Sequence, residues 1–289
     1  MSTSVTTSVT TAIKRVRPLV APLKAVAPIE TFTLKDIQNV PAITKDYIKQ
    51  LSTYLPCTLK HLMECAKLHC PELCEKSDCT FTAKDKGSAG KLVESYIFGQ
   101  APNSKAAPDL LLGDIKATHI KKISKACGDK ASGDKATAYN AKERLTITNV
   151  GATSDYKNLQ HILDYDLEAN PRWDKIYQGI LVVLEHTDGK WSSQEKVFNE
   201  RVVGFFHYNI TENPLWMEVI KSDYEKIRNC VRSKAATQKG QQYLHIHPHG
   251  SKNSSTRAFG FTNKFVTHLI AHYTSRPLIE SGKSLYFEL

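Results

Sequence analysis

Residues 108–116 read Pro-Asp-Leu-Leu-Leu-Gly-Asp-Ile-Lys, a short apolar run bounded by charged residues. In an extended strand, side chains two positions apart share a face, so Asp114 and Lys116 are expected to project together from one edge of a sheet. Asp109 lies five positions before Asp114, an odd separation that puts the two carboxylates on opposite faces of a regular strand. Gly113 offers a solution, because a glycine within a strand pattern often marks a bulge or a bend.

This pattern indicates a site for a hard divalent cation. Mg²⁺ takes oxygen ligands, commonly one or two carboxylates completed by water and phosphate oxygens. A neighbouring lysine can orient water or neutralise the charge that develops on a phosphodiester. An isolated Asp-x-Lys pair is usually solvated surface, so the interpretation depends on the rest of the chain.

The composition favours a polyanionic partner such as nucleic acid, because 39 Lys and Arg against 29 Asp and Glu give a formal net charge of +10. No apolar stretch approaches the roughly 20 residues that span a bilayer, and no signal-peptide core is visible. We therefore expect a soluble, intracellular protein with no membrane partner. The odd number of cysteines, seven, agrees with a reducing setting.

The chain divides into an arm and a folded part. Residues 1–30 are predicted to be a flexible basic arm, since they contain four Lys and Arg and no acidic residue before Glu30; a targeting peptide is the alternative. Residues 31–80 are predicted to be a helical subregion, because apolar residues recur three and four apart over 45–55 and 58–76. Another helix, opening near residue 86 and running to about 98, places Gly90 and Glu94 one turn apart on one face.

Strands and helices alternate in the rest of the chain. Strands are predicted over 109–119, 144–149, 176–185, 202–210 and 243–248, and helices over 156–164, 214–232 and 264–272. This order predicts an α/β fold, in which a mixed β-sheet is flanked by helices and preceded by the helical N-terminal region.

Cysteine and histidine clusters leave alternatives open. Five cysteines between residues 57 and 79, together with His61 and His69, suggest structural zinc, but their spacing does not match paired Cys-x-x-Cys ligands. Free cysteine is also an ordinary buried residue. His245, His247 and His249 alternate as a metal ladder would, yet they serve DNA contact equally well, and Pro248 disturbs the strand.

Three stretches in this order resemble the MutH-like endonucleases, the family of the mismatch-repair nicking enzyme and of type II restriction enzymes that cut GATC. They are Lys86-Gly87-x-x-Gly90-x-x-x-Glu94, Asp109-x-x-x-x-Asp114-Ile115-Lys116, and the block from residues 243–248 through 260–264. The segments 141–145 and 173–175 are also similar. The likeness covers roughly residues 84–275.

The resemblance implies a restriction-endonuclease-like core over residues 84–275, within a single endonuclease domain of residues 31–289. Asp109, Asp114 and Glu94 would bind Mg²⁺, Lys116 would support the attacking water, and Lys175 would contact phosphate. The C-terminal block would bind double-stranded DNA. Its candidate contacts are His247, His249, Lys252, Asn253, Arg257, Thr262, Asn263 and Lys264.

This chain departs from the family pattern at three positions. Relatives usually carry Glu at the position of Asp114, and the shorter side chain keeps the charge but reduces the reach toward a metal. Relatives often have Arg at the position of His247 and Tyr at that of Thr262. Because one bidentate contact to a base contributes about 1–3 kcal/mol of discrimination, the sequence preference and the sensitivity to adenine methylation are expected to differ.

The resulting expectation is a Mg²⁺-dependent endodeoxyribonuclease of the type II restriction kind. It would cut a short duplex site, GATC by resemblance, and leave 5′-phosphates. Three alternatives stay open: a strand-nicking repair endonuclease, a non-catalytic DNA-binding protein, and a zinc-stabilised interaction protein built on residues 57–79. Cleavage of both strands at a palindrome would suggest a homodimer, because two-fold symmetry in the DNA is matched by two protomers.

Overall fold

A computed structural model describes residues 31–32, 43–75, 87–101, 108, 110, 112–123, 137–186, 192–234, 240–250, 254–281 and 284–289. The predicted basic arm and the segment 124–136 lie outside these residues. So do three of the predicted site residues, Asp109, Lys252 and Asn253.

The described residues form strands of two to nine residues, numbered here along the chain. The strands are β1 (Thr31–Phe32), β2 (Ile43–Thr44), β3 (Cys57–Thr58), β4 (Asp114–Lys122), β5 (Ala138–Ala141), β6 (Leu145–Ala152), β7 (Gln178–Glu185), β8 (Arg201–Asn209), β9 (Leu244–Pro248), β10 (Thr256–Phe261), β11 (Leu278–Ser281) and β12 (Ser284–Glu288).

Helices occur both before and between these strands. The α-helices are α1 (Lys45–Ser52), α2 (Leu59–His69), α3 (Pro71–Glu75), α4 (Ser88–Leu92), α5 (Tyr156–Leu163), α6 (Trp173–Ile176), α7 (Ser193–Phe198), α8 (Pro214–Arg232) and α9 (Asn263–Tyr273). A π-helical turn, Val93–Ile97, continues α4, and short 3-10 helices cover Leu167–Ala169 and Ile210–Glu212. None of the helices in this part of the chain is both long and apolar enough to cross a membrane.

The central sheet has seven strands in the order β11-β12-β5-β4-β7-β8-β3. Strands β4 and β7 run parallel, and the other neighbouring pairs are antiparallel. A second sheet has the order β6-β10-β9 and is antiparallel throughout. The protein is therefore mixed α/β, with a mixed sheet flanked by helices, as the sequence predicts.

Both faces of the central sheet are covered, which explains the continuous apolar run of β7. Leu181 and Val183 belong to one core with residues of α5, α8, α9 and the second sheet. Ile180, Val182 and Leu184 belong to a second core with residues of α1, α2, α4 and the π-helical turn. A strand buried on both sides loses the apolar and polar alternation of a half-exposed strand.

Most predicted elements are confirmed, and the differences have local causes. The helix predicted over 58–76 is divided into α2 and α3, because Cys70 precedes a proline and the residue before proline disfavours helical geometry. The strand predicted from residue 176 begins at Gln178, since Ile176 ends α6. Sequence analysis did not predict helices α6 and α7, the strands β5, β10, β11 and β12, or the two-residue strands β1, β2 and β3 within the region predicted to be helical. These elements are short, and their sequences carry little periodicity.

The bend predicted at Gly113 is confirmed, and it determines where β4 begins. Leu110 and Gly113 exchange two backbone hydrogen bonds of 3.2 and 3.0 Å, which close a tight turn. Gly113 has a φ of +91°, and a Cβ at this position would lie 2.1 Å from the carbonyl oxygen of Gln178. The strand predicted over 109–119 therefore starts only at Asp114.

Gly113→Ala is expected to destabilise the protein by at least about 2 kcal/mol, because a left-handed conformation costs an L-residue about 1–3 kcal/mol before the backbone clash is counted. The matched control is Gly90→Ala, since a Cβ on that helical glycine meets nothing within 4 Å. Alanine there should raise helix stability by about 0.5–1 kcal/mol. Denaturant unfolding curves measure both changes, and equal stability of the two variants would contradict the need for glycine at position 113.

Candidate functional site

The first residue of β4, Asp114, is a buried carboxylate, with 2% of its surface exposed. It pairs with Gly179 of β7, which in turn pairs with Tyr208 of β8. A Cβ on Gly179 would lie 2.8 Å from the Asp114 carbonyl oxygen and 2.8 Å from the Tyr208 hydroxyl. The absence of a side chain at Gly179 thus lets Asp114 and Tyr208 approach each other.

Two ammonium groups converge on one oxygen of this carboxylate. Lys116 Nζ lies 3.0 Å and Lys175 Nζ 3.1 Å from Asp114 Oδ2. Lys116 shares a face of β4 with Asp114, as the two-residue periodicity predicts. Its side chain is 22% exposed, whereas that of Lys175 is only 8% exposed. The cluster combines one negative with two positive charges and is reached from solvent on the Lys116 side.

Lys175 reaches the site from α6, the single turn that precedes β7. The turn is held by backbone hydrogen bonds from Lys175 N to Arg172 O and from Tyr177 N to Trp173 O. Lysine is almost never buried unless it is paired. Its ion pair with Asp114 accounts for the burial of Lys175; the phosphate contact that the resemblance implies for this residue stays a prediction.

Tyr208 belongs to the site but was not predicted from the sequence. Burial raises the pKa of its hydroxyl, and the charge of Asp114 raises it further. The hydroxyl has no hydrogen-bond partner among the described residues. A protonated, buried hydroxyl of this kind can donate a hydrogen bond to water or to a phosphate oxygen. The residue was missed because the run Phe205, Phe206, His207, Tyr208 reads as ordinary core strand.

Glu94 lies in the π-helical turn, which packs against β4. It is half-buried, and its backbone carbonyl accepts a hydrogen bond from the Gln100 amide at 2.8 Å. Single π-helical turns inside α-helices occur frequently at functional sites. The structure thus brings together Asp114, Lys116 and Lys175 and places the Glu94 turn against β4, which carries the first two. Asp109 is outside the described residues.

Several predicted DNA contacts are engaged inside the protein. The guanidinium of Arg257 donates to the backbone carbonyls of residues 254–256, and the residue is 8% exposed. The Thr262 hydroxyl caps α9 by accepting from Phe265 N and donates to Gln242 O. These residues shape the second sheet and its connection to α9. Among the predicted contacts that the structure describes, His249, Asn263 and Lys264 are exposed.

His247 is also internal, being 3% exposed. Its ring stacks on that of His245 at 4.7 Å between centroids, and Thr146 Oγ1 lies 3.1 Å from its Nε2. Gly260 of β10 makes room for the pair, since a Cβ there would lie 2.7 Å from the His247 ring. Burial lowers the pKa of His245 to about 4 and that of His247 to about 3, so both rings are neutral at pH 7.

A grouping that could hold a metal ion lies elsewhere in the described part of the chain, at His119, His186 and Glu200. Sequence analysis did not predict this grouping, because the three residues are far apart along the chain. The described cysteines Cys57 and Cys65 do not enter such a grouping. Burial raises the pKa of Cys57 to about 12, so this thiol stays protonated at pH 7, as in an ordinary core residue.

No protein-family model matches this chain, and no curated protein matches it either. The likeness to the MutH-like endonucleases therefore rests on the sequence motifs alone.

Proposed function

We propose that this protein is a Mg²⁺-dependent endodeoxyribonuclease that cuts duplex DNA at a short site, with GATC as the first candidate. The observation that supports the proposal most is the buried Asp114 with the ammonium groups of Lys116 and Lys175 at 3.0 and 3.1 Å. A restriction-endonuclease-like core, with Asp109 and Glu94 as further carboxylates, is part of the same proposal.

The charges at this site suit a phosphodiester better than a neutral substrate. Around Asp114 itself two ammonium groups face one carboxylate, and the low exposure of Lys175 limits screening by water. The further carboxylates of the proposal, Asp109 and Glu94, would be balanced by the bound Mg²⁺. Transferring such a charged cluster out of water is costly unless the charges are paired. An anionic phosphodiester would therefore pair with the two ammonium groups. The net charge of +10 on the whole chain would attract DNA.

The carboxylates proposed for this site are suitable ligands for Mg²⁺, which binds carboxylate oxygens and completes its coordination shell with water and phosphate oxygens. A bound Mg²⁺, held by Asp114 together with Asp109 and Glu94, would polarise the scissile phosphate and lower the pKa of a bound water.

The protein's own residues would perform the remaining tasks. Lys116, at the exposed side of the site, would position the attacking water in line with the leaving oxygen. Lys175 would hold the orientation of Asp114 and neutralise charge on the phosphate, and Tyr208 would donate a hydrogen bond within the same pocket. Fixed donors in a site with little water stabilise a developing charge without reorganising at the moment of reaction.

DNA recognition would use the surface around the second sheet and the start of α9. Asn263, Lys264 and His249 are exposed there, and the resemblance adds Lys252 and Asn253. Side-chain contacts to base edges would read the site, whereas lysine contacts to phosphate would position the DNA. His247, Arg257 and Thr262 would act indirectly, by shaping the backbone that carries the exposed residues.

The direct test incubates the purified chain with supercoiled plasmid that carries GATC sites, in Mg²⁺ and in EDTA. We expect cutting in Mg²⁺ only, and ends that a ligase rejoins, as 5′-phosphates allow. Linear products indicate cleavage of both strands, whereas open circles indicate nicking. Methylated and unmethylated plasmids, followed by mapping of the ends, define the site.

Intact plasmid across metals, salt concentrations and site contexts would contradict nuclease activity. Gel-shift measurements on the same DNA then separate the alternatives. Tight binding without cutting would support a non-catalytic DNA-binding protein, and the absence of both would overturn the assignment to DNA.

A further inference from the structure

We propose a second metal site, for a divalent transition-metal ion such as Zn²⁺, formed by His119, His186 and Glu200. The proposal is independent of the nuclease site. His119 is five positions from Asp114 in β4, roughly 16 Å along the strand, and the odd separation puts the two side chains on opposite faces.

Three adjacent strands supply the three ligands. His119 lies within β4, His186 directly follows β7, and Glu200 directly precedes β8. Because β7 pairs with both β4 and β8, the sheet register brings these positions together. Two hydrogen bonds hold the backbone of Glu200 in place. Its carbonyl accepts from Leu59 N at 2.8 Å, and its amide donates to Val197 O at 3.3 Å.

The two histidine nitrogens contact different oxygens of Glu200, and the ligand atoms of the three residues lie near the mutual spacing of atoms bound to one small cation. His119 Nε2 lies 3.0 Å from Glu200 Oε2, and His186 Nδ1 lies 3.2 Å from Glu200 Oε1. One ligand atom from each residue falls within 4.8 Å of the other two. Nitrogen and oxygen ligands at about 2.0–2.2 Å from Zn²⁺ are themselves roughly 3–3.5 Å apart.

Direct pairing does not satisfy all three groups. The contact between His186 Nδ1 and Glu200 is close but not aligned as a hydrogen bond, and Nδ1 has no other hydrogen-bond partner among the described residues. The Glu200 side chain is only 6% exposed. A buried carboxylate facing a nitrogen without a partner is the situation that a bound cation would resolve.

The ligand types select the metal. Two imidazole nitrogens and one carboxylate oxygen form the set that open zinc sites use, and that related transition-metal sites share. Mg²⁺ prefers a shell of oxygen atoms alone. The imidazole rings now stack at 4.4 Å between centroids, so binding would exchange this stacking contact for two nitrogen–metal bonds. The ion would then tie β4, β7 and β8 together at one end of the sheet.

Removal of Lys142 distinguishes a metal site from an ion-pair network that binds no metal. Its Nζ lies 3.2 Å from Nε2 of His186. When Nδ1 binds a metal, Nε2 of a neutral ring carries the proton, so the ammonium can no longer donate to it. Lys142 therefore opposes the metal by charge and by competing for the ring, and its removal should strengthen metal binding.

The experiment measures zinc in metal-free full-length protein after loading with Zn²⁺ and desalting, and follows the titration by calorimetry and thermal unfolding. We expect His186→Ala and Glu200→Gln to contain one zinc per chain less than the wild type and to lose the rise in Tm that zinc produces. Lys142→Met should bind about fivefold more tightly, as expected for removal of one nearby charge at high dielectric. His186 is partly exposed at a strand end, so its truncation should leave the circular dichroism spectrum unchanged.

Co²⁺ distinguishes this site from the cysteines, because thiolate ligands give strong ultraviolet charge-transfer absorption and a nitrogen and oxygen site does not. Loss of one Co²⁺ in His186→Ala without a change in that absorption would support the assignment. The proposal is overturned if the wild type retains no zinc, or if His186→Ala and Glu200→Gln retain as much zinc as the wild type.

Discussion

Asp114→Asn is expected to reduce DNA cleavage by at least about a thousandfold, since removal of one preorganised charge-stabilising group costs roughly 10²–10³ in rate and the metal ligand is lost as well. Asn keeps the shape of the side chain and removes its charge. DNA binding should be retained or strengthened, because the negative charge that opposes the phosphate is gone. Single-turnover cleavage and gel shifts measure the two effects separately.

This substitution also leaves Lys175 buried without its counter-charge, so stability must be followed alongside activity. Lys116→Met is the companion variant, because the Lys116 side chain is partly exposed and can be truncated with little effect on folding. It should lower cleavage by roughly 10²–10³ with unchanged unfolding. The matched control for charge is Lys221→Ala on α8, which removes a lysine from an exposed ion pair with Glu168. If Lys116→Met and Lys221→Ala cut DNA equally well, the proposed site is wrong.

Asp223→Ala is expected to cost about 3–5 kcal/mol of folding free energy, the range for removing one partner of a buried charged network. Asp223 in α8 is fully buried, and its carboxylate accepts hydrogen bonds from the backbone amides of Gln242, Tyr243 and Leu244. These amides lead into β9. Without the carboxylate, the buried amide of Leu244 and the partly buried amides before it lose their acceptor, and a fully buried donor left unsatisfied costs about 1–3 kcal/mol.

Two further variants separate the causes of this loss. Asp223→Asn keeps one acceptor oxygen but turns an amide group toward a backbone donor, so it should recover only part of the stability. Lys226→Met removes the ammonium 3.3 Å from Asp223 Oδ1, and should cost less than about 1 kcal/mol, because its side chain is partly exposed. Denaturant unfolding measures all three, and a small effect of Asp223→Ala would show that the amides find other partners.

Much of the fold could be predicted because local chemistry decides it. Helix α8 begins at Pro214 and ends at Arg232, as predicted, since Asn213 caps the first turn through Leu215 N and Trp216 N, and proline suits a first-turn position. The apolar run over 176–185 predicted a strand, and only the structure showed that it is covered on both faces. Strands such as β10 and β12 were missed, because their partners lie far away in sequence and short strands carry little periodicity of their own.

The candidate site was partly predictable for the same reason. Asp114 and Lys116 are two residues apart in one strand, so their common face follows from strand geometry alone. Tyr208 comes close to the same carboxylate because β4 pairs with β7 and β7 pairs with β8, and no spacing in the sequence indicates this. The burial of Arg257 and His247 was likewise hidden, since a basic or aromatic side chain in a predicted DNA-reading block can face either outward or inward.

The sequence by itself determined the longer helices and strands, the bend at Gly113 and the common face of Asp114 and Lys116, because each depends on residues within a few positions of one another. Only the tertiary structure decided that Lys175 and Tyr208 join that carboxylate, and that His119, His186 and Glu200 meet at the other end of β4. Both sets of contacts depend on the order and register of the strands, which arise from the packing of two hydrophobic cores against one sheet. Such long-range packing leaves no mark on the local pattern of any single segment.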